Sequence, residues 1–200
     1  MGKKILLLGP KMSGKTTMLV SYGGRTKKGV ATTIAPPGTT ETDEVSRRHG
    51  FLWRKKTNVK EVGGNDINIR QFDSIIGNKI NAIGNNGIVL YVFNGIEFLN
   101  QVRSPSQGGE IYAIWLHLSH IGHRKNWPQL NRPHFVATHA DQCDDMKQLI
   151  LDAIETANSE YLKLVPIGSA RYDRAIFSGP FFHCIDATNP KQVRELINSL

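Results

Sequence analysis

Apolar positions along this chain follow two patterns, short unbroken runs and longer stretches with helical spacing. Ile5-Leu6-Leu7-Leu8 is a continuous run and predicts a strand over Lys4–Leu8. Lys15–Tyr22 then reads as a helix, stopped by Gly23-Gly24. Residues 29–42 are rich in Thr, Pro and Gly and read as a long loop. Asp43–Arg54 reads as an extended strand, Lys55-Lys56-Thr57-Asn58 as a turn, and Val59–Val62 as a short strand. Ile69, Phe72, Ile76, Ile80 and Ile83 lie three or four residues apart, one face of a helix that Gly84-Asn85-Asn86-Gly87 ends. Ile88–Phe93 is apolar throughout and suits a central strand buried on both faces. A helix is expected around Glu110–Ile121, a strand at His134–Thr138, and helical structure at Asp145–Leu162. Pro166–Pro180 is irregular, Phe181–Ile185 is the last strand and Lys191–Leu200 the last helix. Strands alternating with helices predict an α/β fold with a mostly parallel sheet.

The 200 residues, 40% of them hydrophobic, match one domain with a core of its own, spanning 1–200. No apolar run reaches the length of a membrane span, and the first run is too short for a signal-peptide core. Position 6 is Leu where a myristoylation motif beginning at Gly2 wants Ser or Thr, and the last residues carry no prenylation cysteine. Membrane association is therefore expected through a partner. Cys143 and Cys184 lack metal-ligand spacing and are expected to be reduced thiols in a cytoplasmic protein. The net charge is +8, with basic residues clustered at Arg25–Lys28 and Arg47–Lys56. That charge suits nucleic acid, an acidic membrane or an acidic protein, or simply solvated loops. No RNA-binding signature or zinc framework speaks for nucleic acid.

The strongest chemical signal is Gly9-Pro10-Lys11-Met12-Ser13-Gly14-Lys15-Thr16, which fits G-x-x-x-x-G-K-[ST] at every fixed position. It lies between a predicted strand and a predicted helix, as a phosphate-binding loop should. Glycines let the backbone curl so that several N–H groups face one anion, and the helix start adds its dipole. Lys15 would reach the β- and γ-phosphates and the Thr16 hydroxyl would hold Mg²⁺, with Thr17 beside it in the first turn.

His134–Asp141 reads HFVATHAD, a strand ending in Thr138-His139-Ala140-Asp141. This resembles the [NT]-K-x-D motif of small GTPases with His139 in place of lysine, a form seen in Roc-type GTPases. The resemblance implies that the Asp141 carboxylate accepts two hydrogen bonds from guanine, a pair of donors that adenine lacks. Asp186-Ala187-Thr188, ahead of the last helix, resembles the family's S-A-K loop, with the Ala187 N–H facing guanine O6. Ser169-Ala170-Arg171 is closer by letter, but no helix pattern follows it. Over its whole length the chain thus resembles a Ras-superfamily small GTPase. That implies a P-loop fold with a mostly parallel six-stranded sheet and helices on both faces, binding GTP or GDP with Mg²⁺. Lys60–Gly64 resembles the W-D-V-G-G of Arf-like proteins, and the loop ending Pro37–Thr40 resembles their first switch. The runs Ile5–Thr16 and Asn86–Asn94 are similar to the Rab-like GTPase of intraflagellar transport. The irregular stretch before the last strand resembles the β subunit of the signal recognition particle receptor.

The family pattern is not met everywhere. Its D-x-x-G appears as Glu61-Val62-Gly63-Gly64, where Gly64 would contact the γ-phosphate and Glu61 would hold a magnesium-bound water. Asp73–Gly77 competes, but Asp73 falls inside the isoleucine-striped helix. Asn65 stands where the family has the glutamine that orients the attacking water, and it is one methylene shorter. The expected first-switch threonine falls on Pro36, leaving Thr33, Thr39 or Thr40 as ligands of Mg²⁺. Weak intrinsic hydrolysis follows as an expectation. Two readings remain open: a GTP-dependent switch served by effector, exchange and activating proteins, or an adaptor subunit that holds nucleotide and rarely hydrolyses it. A P-loop small-molecule kinase is a third; its arginine-rich lid would have to come from Arg171 and Arg174. His117, His120 and His123 are expected at the surface, and Trp53, Trp115 and Trp127 in packing.

Overall fold

A computed structural model describes residues 3–10, 12–23, 44–49, 55–61, 87–103, 134–152 and 181–200, and within the second and third strands the side chains of Thr57 and Val59. The elements are β1 (Lys3–Leu8), α1 (Lys15–Gly23), β2 (Glu44–His49), β3 (Lys55–Glu61), β4 (Gly87–Asn94), α2 (Gly95–Arg103) and β5 (His134–Thr138). A short 3₁₀ turn at Ala140–Gln142, helical residues 146–152 (α3), β6 (Phe182–Cys184) and α4 (Pro190–Ser199) complete them.

The strands form one sheet in the order β2-β3-β1-β4-β5-β6. Every pairing is parallel except β2 with β3. β1 and β4 occupy the centre, which explains why Ile5–Leu8 and Ile88–Phe93 are apolar at every position: both faces of each strand are covered. On one face Leu7, Leu90, Val92 and Val136 pack with Met18 and Tyr22 of α1 and Val193, Leu196 and Ile197 of α4. On the other, Phe98 of α2 meets Phe93 at 5.4 Å between ring centres, and Phe182 stacks on Phe93 at 6.4 Å.

Two expectations are corrected. Lys55–Asn58 is strand, not turn, because Lys3–Leu7 pairs with Thr57–Glu61 on one side while β2 pairs antiparallel on the other. Thr57 is consequently buried. The sequence reading also passed over α2. Asn94 caps it, its Oδ1 accepting from the N–H groups of Ile96 at 3.0 Å and Glu97 at 3.1 Å. The expected helices at 69–83 and 110–121 and the irregular stretch 166–180 lie outside the described residues, as do His117, His120, His123 and the three tryptophans Trp53, Trp115 and Trp127. No helix of the described residues is long and apolar enough to cross a membrane.

Candidate functional site

A parallel sheet brings the carboxyl ends of its strands to one edge, and the loops that leave this edge carry the candidate residues. The loop after β1 turns sharply at Gly9, where φ is 143° and a Cβ would sit 1.8 Å from the Val92 carbonyl oxygen. Only glycine allows the chain to pass β4 that closely. Met12 (φ 61°) and Gly14 (φ 88°) continue the curl in the left-handed region, and the Met12 side chain stands out into solvent. Helix α1 begins directly afterwards, its first bond running from Met18 N–H to the Gly14 carbonyl at 2.9 Å.

Lys15 closes the loop from inside. It is 4% exposed, and its ammonium donates to the Gly9 carbonyl at 3.0 Å, to the Pro10 carbonyl and to Ser13 Oγ at 3.1 Å. A buried charge is tolerated only when oxygens surround it, and here the loop supplies them. The ammonium is thus held by acceptor oxygens of the loop, which it would have to exchange for those of a phosphate in order to bind one. Thr16 is half-buried and Thr17 exposed at the mouth of the helix.

The second loop leaves β5. Thr138 is fully buried, and its hydroxyl lies 3.0 Å from the Ser13 carbonyl, 3.2 Å from the Phe93 carbonyl and 2.9 Å from His139 Nδ1. Its side chain also abuts Gly14, where an added Cβ would meet Thr138 atoms at 3.0 to 3.3 Å. Thr138 therefore ties the phosphate loop, the end of β4 and the start of the THAD motif together. His139 adopts a left-handed backbone (φ 65°, ψ 29°), a conformation that costs a non-glycine residue about 1 kcal/mol or more. That turn swings the chain into the 3₁₀ segment that presents Asp141 in an exposed position.

The third loop leaves β6 and is stitched to the second. Ile185 N–H donates to the Ala137 carbonyl at 3.0 Å, and Ala140 N–H to the Ile185 carbonyl at 3.3 Å. Asp186 Oδ1 accepts from Thr188 N–H at 2.8 Å and Thr188 Oγ1 at 2.6 Å, so this carboxylate shapes its own turn. Gln192 Oε1 accepts from Asp186 N–H at 2.9 Å, and Asn189 caps α4. Ser21 Oγ of α1 donates to the Ala187 carbonyl at 2.7 Å, fixing the height of this turn above the helix. Sequence reasoning missed Ser21 and Gln192. Gln192 carried a faint signal as a polar residue three places after Asn189, whereas Ser21 carried none.

The register places Glu61 opposite Leu7, at the same edge and two residues short of Gly9. Lys11, Thr39, Thr40, Gly64 and Asn65 lie outside the described residues, as do Thr33, Pro36, Asp73, Ser169, Arg171 and Arg174. At the far end of the sheet His134 Nδ1 and His183 Nε2 approach to 3.1 Å. Burial pushes the His183 pKa down to about 4, helped by the charges of His134 and Lys147, and burial also lowers His134. Burial raises the Cys184 thiol to about 11, and both cysteines are free.

The chain is similar in fold to two solved structures. Against the mammalian SRP receptor the TM-score is 0.60 with 12% identity, covering 98% of each chain. Against the bacterial selenocysteine-specific elongation factor EF-Sec the TM-score is 0.51 with 16% identity, covering 98% of this chain and 27% of that one. At such identities the likeness shows the fold. No protein-family model matches, and no curated protein matches. Fold and loop together make this an α/β protein with a P-loop at the carboxyl edge of a mostly parallel sheet.

Proposed function

We propose that the chain binds a guanine nucleotide with Mg²⁺ and works as a GTP-dependent switch with slow intrinsic hydrolysis. The observation that carries this reading is the junction at Thr138, which sets the phosphate loop and the THAD motif side by side at one edge. Lys15 would exchange its loop acceptors for oxygens of the β- and γ-phosphates. Asp141 would accept the two guanine donors, with His139 and the Asp186–Thr188 turn bordering the base and Ala187 N–H directed to its O6. Thr16 at the helix start and Glu61 at the end of β3 are placed at the same edge and have the oxygen chemistry that Mg²⁺ takes. Bound there, the ion would neutralise charge between the phosphates. Gly64 and Asn65 would face the γ-phosphate, with Thr39 or Thr40 completing the metal ligands. Effector, exchange and activating proteins would read and reset the state, in the cytoplasm or on a larger complex.

Asn65 and Glu61 also support a second reading, an adaptor that holds GTP as a structural ligand. Single-turnover hydrolysis separates the two, since the adaptor should not convert bound GTP even over hours. The common reading is tested by denaturing the purified protein and identifying the nucleotide released, then titrating emptied protein with GTP, GDP and ATP. Guanine nucleotide whose binding Asp141→Ala abolishes is the expected result. Adenine nucleotide, or indifference to Asp141→Ala, overturns it.

A further inference from the structure

In the turn between β6 and α4 the backbone N–H groups are bound on either side of one residue. Ile185 N–H donates to the Ala137 carbonyl, Asp186 N–H to Gln192 Oε1, Thr188 N–H to Asp186 Oδ1 and Asn189 N–H to the Asp186 carbonyl. Between them the Ala187 N–H makes no hydrogen bond among the described residues. Ala187 is buried, and an unmatched backbone donor in such a place carries a cost unless something accepts from it. The peptide units around this N–H are all fixed. Its own unit is held by the Asp186 carbonyl, which accepts from Asn189 at 3.1 Å. The next unit is held at both ends, by Ser21 Oγ on the Ala187 carbonyl at 2.7 Å and by Asp186 on the Thr188 N–H at 2.8 Å. The preceding unit is held by Gln192 at 2.9 Å and by Ala140 N–H on the Ile185 carbonyl at 3.3 Å. Neither Ser21 nor Gln192 serves its own helix. A serine hydroxyl inside a helix commonly bonds a carbonyl one turn back, but Ser21 crosses to the turn. A glutamine at the third helical position commonly returns to the N-cap N–H. Here Asn189 N–H is already bound, and Gln192 reaches past it to Asp186.

We propose that Ser21 and Gln192 are positioning residues that hold the Ala187 N–H as the donor for an acceptor at position 6 of the bound purine. The inference rests on the guanine reading above and adds to it the residues that set selectivity at that one atom. A 6-oxo group accepts from this N–H. A 6-amino group presents a second donor instead and leaves the N–H unmatched, which a site built for an acceptor rejects. Ser21 lies on α1, the helix that begins at Lys15, so the height of the turn is referred to the phosphate loop through one element. A purine anchored by its phosphates then meets the Ala187 donor at a set distance, and small displacements of the turn are felt at the base.

The test is titration of the emptied full chain with GDP, 6-thio-GDP and ADP. The sulfur of 6-thio-GDP is a weak acceptor in the place of O6, and the donors facing Asp141 are kept. The parent chain should bind GDP more tightly than either analogue. Ser21→Ala should weaken GDP by roughly fivefold, the worth of one hydrogen bond, and 6-thio-GDP by less than about twofold. Ser21→Thr, which keeps a hydroxyl, should restore the parental ratio. Gln192→Leu, at an exposed position of α4, should give the same selective loss without touching the core. Equal weakening of GDP and 6-thio-GDP by Ser21→Ala and Gln192→Leu would show a structural role alone and overturns the proposal. So does a GDP affinity that both variants leave unchanged. A parent chain that binds ADP as tightly as GDP is a separate failure: it ends the guanine reading, and this inference with it.

Discussion

Replacing Thr138 by Val removes one hydroxyl while keeping shape and burial almost unchanged, so it isolates the junction between the two loops. The residue is fully buried, and its Oγ1 sits within hydrogen-bonding distance of Ser13 O, Phe93 O and His139 Nδ1. One hydroxyl proton serves one carbonyl at a time, and the oxygen is placed to accept from the imidazole. Valine therefore deletes about two bonds and presents a methyl group to buried carbonyl oxygens. At about 1 kcal/mol per bond, with an added penalty for the stranded acceptors, the loss comes to about 2 to 3 kcal/mol. For a chain of this size, roughly 2–4 °C per kcal/mol translates this into a fall in Tm of about 4–12 °C. Nucleotide should also leave faster, by about tenfold if half of the lost energy had been holding the loops in the binding geometry. Thr138→Ser, which keeps the hydroxyl, should restore most of both effects. The assay is thermal unfolding together with release of a fluorescent nucleotide. A Val variant that melts within a degree of the parent and releases nucleotide at the parental rate would show that the junction is not what joins the loops.

Two further outcomes follow from the geometry. Gly9→Ala would place a methyl carbon 1.8 Å from Val92 O at a φ of 143°, so the loop must move off β4. Nucleotide binding should disappear while far-UV circular dichroism stays near that of the parent, and retained binding would contradict the tight passage at Gly9. The paired histidines bear on acid stability. His183 has its pKa lowered from 6.5 to about 4 in the folded chain, and His134 is lowered as well. The unfolded chain therefore binds more protons between these values, so the stability held above pH 6.5 is lost as pH falls toward 4. Chemical denaturation across that range should show a slope that His183→Gln flattens, and an unchanged slope would refute the assignment.

Legibility in the sequence tracked how local the cause was. The phosphate loop could be read outright, because its glycines, lysine and threonine act within eight consecutive residues. Ile88–Phe93 announced a central strand for the same reason. Lys55–Asn58 was misread because a polar segment was judged by its own composition. Its strand character comes from its two neighbours in the sheet, the preceding strand β2 and β1, which lies far back in the sequence. Helix α2 was missed because its start depends on one side chain, Asn94, folding back on the next residues. Thr138 was named for its place in a motif, but its bond to Ser13 spans 125 positions and no pattern reports it. Ser21 reaches Ala187 across 166 positions and was equally invisible.

The shortness of β6 has a consequence for how this edge yields. Among the described residues the strand pairs with β5 alone, through Phe182, His183 and Cys184, yet its continuation carries the third loop and the bonds at Ala137, Ala140 and Ser21. Three residue pairs are a weak hold for an edge strand, so fraying of β6 would release the Asp186–Thr188 turn while the central strands β1 and β4 stay paired.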